Sequence, residues 1–193
     1  MDPDASRSAR SLRTAAAVLL IGGAVVVLCA VLMFTGRTFW GWPAPSSFIA
    51  GERALIIGSV LMSLLGFAVL ELLLRSAGSI VLPRLALVMY LVGATILVSA
   101  ESSFIGGHPH VYAQIVVWIV SAFLAQAAFG LALVRTALVP SGTGWSAVVW
   151  NVGMLAALAV FSPGDMYYPI VHFVTPFLIG IALLRRSGSP SAE

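Results

Sequence analysis

Asp165, Tyr168, His172 and Thr175 recur at i, i+3, i+7 and i+10, which on an α-helix makes one stripe of polar side chains. Pro169 and Pro176 fall in the same stretch, and each removes a backbone donor and frees a carbonyl. Irregular backbone of that kind is tolerated at membrane depth where it is buried in protein or lines a cavity. Two further stretches place polar groups at a comparable level. Thr95, Ser99 and Ser102 share a helical face with Glu101 beside them, and Gln114, Trp118 and Ser121 share another, below His110 and Tyr112. If these faces converge, they form a polar and aromatic pocket lined by Glu101, Gln114, Trp118, Asp165, Tyr168 and His172, with Asn151 a possible contributor from deeper in the bundle.

Several chemistries would suit such a pocket. Asp165 or Glu101 as acid and His172 as base could act on a lipid-soluble, isoprenoid-like substrate, since burial shifts such groups toward catalytic use. The same residues could orient a small or lipid-like molecule beneath an aromatic lid. His172 and Tyr168 could equally serve as interhelical hydrogen-bonding groups that hold a bundle together. A metal set of His108, His110 and His172 with Glu101 or Asp165 is disfavoured, because no HxxxH or HExxH helical spacing supports it. Bis-histidine haem is disfavoured because His172 is the sole histidine within an apolar run. No glycine-rich phosphate loop and no basic face for nucleic acid is present. The expectation is therefore no metal and no cofactor.

The elements that must position these residues are apolar runs between charges. A bilayer core about 30 Å thick takes about 20 apolar residues per helix. Thr14–Gly36, Ala54–Arg75, Ile80–Ala100, Val111–Val134, Trp145–Phe161 and Met166–Leu184 each meet that need. Composition agrees: 60% of the residues are hydrophobic and 9% charged, against about 25% charged in soluble domains. The mean hydropathy is +1.05. The spacing predicts an all-α, polytopic bundle of six transmembrane helices over 14–186. Residues 1–13 and 187–193 are expected to be short disordered tails.

Orientation follows from arginine. With the N-terminus inside, Arg7, Arg10, Arg13, Arg75, Arg84, Arg135, Arg185 and Arg186 face the cytoplasm, against only Arg37 and Arg53 outside. That bias places both termini in the cytoplasm, in a plasma (inner) membrane. The first apolar run is longer than a secretory signal core and reads as a retained helix. Glu71 four residues before Arg75 predicts an ion pair at the inner interface, with Arg84 snorkelling nearby. Ser59, Ser63 and Gly66 form a small face suited to close helix contact. The pattern Gly130-Leu-Ala-Leu-Val-Arg135 recurs as Gly180-Ile-Ala-Leu-Leu-Arg185, a similarity that short apolar alphabets produce readily.

The functional expectation is a multi-pass membrane protein that binds a small or lipid-like molecule from the outer side, or serves as a subunit of a membrane complex or transporter. The alternative is a membrane-embedded enzyme using carboxylate and histidine acid–base chemistry. The bilayer is the expected surrounding. A small-molecule ligand, a membrane-protein partner or a second copy of the chain are the expected associates, and nucleic acid is not.

Overall fold

The computed structural model describes residues 3–43, 45–164 and 166–188. Six α-helices account for almost all of them: α1 Pro3–Phe39, α2 Ser46–Ser76, α3 Val81–Ile105, α4 Tyr112–Thr136, α5 Ser141–Phe161 and α6 Val174–Gly188, the last preceded by a 3₁₀ turn at Pro169–Phe173. Each apolar run is long enough to cross a bilayer, as a multi-pass membrane protein requires. The helices alternate in direction. One end of the bundle carries Phe39, Ser46, Ile105, Tyr112, Phe161 and Pro169, and is called the Glu101 end below. The other carries Ser76, Val81, Thr136 and Ser141, and is called the Glu71 end.

Each helix packs on its chain neighbours, and α6 closes the ring by packing on α1, while α5 touches α6 only sparsely. Lipid gives apolar side chains no reason to leave it, so association depends on close fit between helices. Small residues supply that fit at several seams. A Cβ on Gly23 would lie 2.6 Å from Ser63 Oγ and 2.8 Å from the Ser59 carbonyl, and one on Gly66 would meet Leu20 at 2.8 Å. The small face of α2 is thus the α1–α2 contact. Gly130 meets Ala147 and the Gly144 carbonyl of α5, and Gly180 meets Ile21 and the Ala17 carbonyl of α1. The two glycines of the repeated pattern therefore serve different seams, α4–α5 and α6–α1.

The centre is aromatic. Phe67 of α2 stacks on Phe129 of α4 at 4.6 Å and meets Tyr90 of α3 edge-on at 4.9 Å, and Tyr90 meets Trp118 edge-on at 5.5 Å. Such pairs contribute about 0.5–1.5 kcal/mol each beyond the area they bury. At the Glu71 end, the buried Glu71 carboxylate faces Arg75 Nε at 3.9 Å, as its spacing predicts, and also Arg84 Nε at 3.8 Å.

The helix ends depart from the expected boundaries. α1 begins at Pro3, so the polar stretch expected to be a disordered tail is helical from that residue. Proline suits a first helical position, and the alanines, serines and arginines that follow are compatible with continuation. α6 runs through Gly188, and the remainder of the expected C-terminal tail lies outside the described residues. The largest difference is between the first two spans. α1 continues to Phe39 and α2 starts at Ser46, directly after Pro45, so the connection is short. Trp42 folds back over Gly36, where a Cβ would lie 2.1 Å from the indole, and Gly41 turns the chain with a φ of 66°. In consequence Glu52 and Arg53, expected in or at the edge of a loop, lie in the second turn of α2 and point into the bundle.

Candidate functional site

The Glu101 end holds a linked cluster of charged side chains drawn from three helices and two connections. Glu101 of α3 is fully buried, and Glu52 of α2 is 2% exposed. Arg53 lies between them, with one guanidinium nitrogen 3.6 Å from Glu52 and another 3.5 Å from Glu101. Arg37 of α1 approaches Glu52 from the other side at 3.4 Å. Glu101 also meets His110 Nε2 at 3.3 Å and accepts a hydrogen bond from the Tyr167 hydroxyl. The ring of Phe104, one helical turn after Glu101, stacks on His110 at 4.5 Å and underlies the Arg53 guanidinium at 4.8 Å. Buried carboxylates of this kind persist only when paired and hydrogen-bonded. Here Glu52 has two cationic neighbours, Arg37 and Arg53, and Glu101 has three cationic or hydrogen-bonding ones, Arg53, His110 and Tyr167.

Tyr167 precedes the sixth span, and its phenol is held well above its ordinary pKa, first by burial and then by the Glu101 carboxylate beside it. It therefore stays protonated and donates to Glu101 across the neutral range.

Beside this cluster lies a cleft of about 290 Å³ between α1, α2 and the segment that enters α6. Ala30, Val31 and Phe34 of α1 form an apolar wall, faced by Ile56 of α2 and Ile170. Glu52, Arg53 and Tyr167 close its polar end, with Tyr168 and Pro169 at the rim. Tyr167 thus has two roles, as a wall of the cleft and as the hydrogen-bond donor to Glu101 behind it.

The residues expected to share one pocket are divided by the structure among several places. Glu101 anchors the charged cluster. Tyr168 is 44% exposed and lines the cleft. Trp118 is a core side chain, packed between Tyr90 and His172. Gln114 is half-buried in the first turn of α4, and Asp165 lies outside the described residues. His172 is buried deeper in the bundle, its ring 4.2 Å from Phe123 and 5.6 Å from Trp118. Neither ring nitrogen has a hydrogen-bond partner.

The expected stripe from Asp165 to Thr175 assumes an unbroken α-helix. Residues 166–168 are not helical, and 169–173 form a 3₁₀ turn of three residues per turn, so the phase of the stripe is lost. Tyr168 faces outward while His172 and Thr175 are buried. Carbonyls in the broken segment find side-chain donors: Gln126 Nε2 donates to His172 O at 2.9 Å, and Trp150 Nε1 donates to Val171 O at 3.0 Å. Asn151 donates to Thr175 Oγ1 and to the Ala147 carbonyl, both at 2.7 Å, and so belongs to this deeper α5–α6 contact. Thr95, Ser99 and Ser102 face outward from α3, and Thr95 satisfies its hydroxyl on its own helix at the Leu91 carbonyl.

The residues that sequence reasoning missed are Arg37, Glu52, Arg53 and Tyr167. An acid and a base adjacent at the start of an apolar run, with a second acid at the end of the next, is the signal that marks them. Among the described residues no three of His, Cys, Asp and Glu converge as a metal-binding set. Comparison of the chain with protein families, curated proteins and solved structures finds no match.

Proposed function

We propose that this membrane protein binds a small amphipathic, lipid-like molecule in the cleft at the Glu101 end, and that this end faces the outside of a plasma membrane. The observation that carries the reading is the composition of the cleft. An apolar wall of Ala30, Val31, Phe34, Ile56 and Ile170 runs to a polar end made by Glu52, Arg53 and Tyr167. A ligand that filled it would need an apolar body and a polar head, which is the usual logic of small-molecule sites. The arginine distribution supports the orientation, since Arg75, Arg84, Arg135 and Arg186 gather at the Glu71 end. Both termini would then be cytoplasmic. The broken segment before α6 supports a binding role as well, because discontinuous helices are a recurrent way to build sites inside membrane bundles.

The test is native mass spectrometry of the protein purified in a mild non-ionic detergent, comparing the parent chain with Val31→Trp. Val31 is half-buried on the cleft wall, so an indole there fills the space without entering the aromatic centre. A bound amphiphile present at stoichiometric level in the parent and lost in Val31→Trp is the expected result. Equal retention in a folded Val31→Trp variant would overturn the assignment to this cleft.

A further inference from the structure

The charge arrangement at the polar end identifies the kind of head that the cleft accepts, an inference that rests on the binding reading above. Arg37, Glu52, Arg53 and Glu101 sum to zero charge and are connected in a chain of ion pairs at 3.4, 3.6 and 3.5 Å. Charge-assisted hydrogen bonds are shorter, about 2.7–2.9 Å, so these pairs are loose. The Nε groups of Arg37 and Arg53 are buried and have no hydrogen-bond partner. The cluster is thus balanced in charge but not saturated in hydrogen bonds.

A ligand with net charge would upset that balance. An anion would satisfy the arginine donors but add a third negative charge beside two buried carboxylates. A cation would do the reverse. Either leaves one buried charge without compensation, which is the costly arrangement in a poorly solvated site. A head carrying both signs avoids the problem. Glu52 and Arg53 are consecutive residues and both line the cleft, so a cationic group and an anionic group a few bonds apart can meet them together. Tyr167 closes the same end and Tyr168 stands at the rim, and aromatic rings favour quaternary ammonium groups. The volume of about 290 Å³ lies at the lower limit of small-molecule sites, which run from about 300 to 1,000 Å³. It suits one apolar chain rather than two.

We infer that the cleft selects a single-chain amphiphile with a zwitterionic head of the phosphocholine or phosphoethanolamine class, its ammonium toward Glu52 and its phosphate toward Arg53.

The test uses the full chain in a non-ionic detergent and titrates four probes: a single-chain phosphocholine amphiphile, an alkyl phosphate and an alkyl trimethylammonium of the same chain length, and phosphocholine without a chain. The expected result is preference for the zwitterionic amphiphile over both charged ones by about tenfold or more. Glu52→Gln should move the preference toward the alkyl phosphate, and Arg53→Gln toward the trimethylammonium. Should Arg53→Gln fail to fold, Glu52→Gln alone still reads the sign of the change. Equal binding of the three amphiphiles, or a ranking that Glu52→Gln leaves unaltered, overturns the head assignment while the cleft reading stands. Tight binding of chain-free phosphocholine overturns the single-chain part. Binding of none of the four overturns the cleft reading itself.

Discussion

Replacing Arg53 with methionine isolates the contribution of the charged cluster to stability. Methionine keeps much of the side-chain length and its apolar stem while deleting the guanidinium. Arg53 touches the two buried carboxylates of this end, at 3.6 Å to Glu52 and 3.5 Å to Glu101. Removing one partner of a buried pair typically costs about 3–5 kcal/mol, because the other charge is left uncompensated. Here Glu52 keeps Arg37, and Glu101 keeps His110 and the Tyr167 hydroxyl. The expected loss is therefore at the low end, about 3 kcal/mol. For a chain of this length about 2–4 °C of midpoint accompanies each kcal/mol, so the midpoint should fall by about 6–12 °C. Arg37→Met is the control. Arg37 is 27% exposed and its carboxylate partner retains Arg53, so the loss should be about 1 kcal/mol, or about 2–4 °C. The assay is the loss of the monodisperse chromatographic peak after heating in detergent. A further variant, Arg53→Met with Glu101→Gln, should recover part of the deficit by removing the stranded charge. If Arg53→Met and Arg37→Met melt together, or if neutralising Glu101 lowers stability further, Arg53 is not the side chain that compensates the buried carboxylates.

Three other outcomes follow from the geometry. Gly130→Ala should destabilise by about 1–3 kcal/mol, since its Cβ would lie 2.8 Å from Ala147 Cβ and from the Gly144 carbonyl, whereas Gly58→Ala meets nothing within 4 Å and should be neutral or gain up to about 1 kcal/mol in the same heating assay. Gln126→Leu should cost about 1–3 kcal/mol by leaving the His172 carbonyl unpaired, while His172→Phe, which removes ring nitrogens that have no partner, should stay within about 1 kcal/mol of the parent; thermal midpoints of the two variants decide it. The folded chain holds the Tyr167 proton to higher pH than the unfolded chain does, so this stabilisation is complete below about pH 10 and is lost as pH rises through the folded-state value. Thermal midpoints measured from neutral to alkaline pH should therefore fall less steeply for Tyr167→Phe than for the parent.

The apolar windows between charges were enough to identify six spans and their order, because a bilayer tolerates few other solutions. Glu71 with Arg75 was also legible, since helical spacing alone brings them together. The candidate site was legible only in part. Glu101 stands out because it lies beside the polar face of Thr95, Ser99 and Ser102 at the outer end of the third apolar run. Glu52 and Arg53 do not, because a charge beside an apolar run reads as the end of a span. Two opposite charges that find partners on neighbouring helices can lie inside the bundle, and nothing in the local sequence distinguishes that from a loop. A stripe at α-helical period selects Tyr168 rather than Tyr167. Pro169 begins a 3₁₀ turn, and its tighter winding turns His172 inward and leaves Tyr168 at the cleft rim. Spacing singles out Trp118 but does not distinguish a core aromatic from a pocket aromatic.

The packing of α6 on α1 also bears on how the molecule is made. Gly180 sits against the Ala17 carbonyl and Ile21, so the face of α1 around those residues is completed by a helix synthesised much later in the chain. Until α6 emerges, α1 must wait in the bilayer with that face turned to lipid or held by the insertion machinery. Completion of this α1 seam consequently waits for α6. A chain that stops short of α6 therefore leaves the α1 seam around Ala17 and Ile21 without its partner helix.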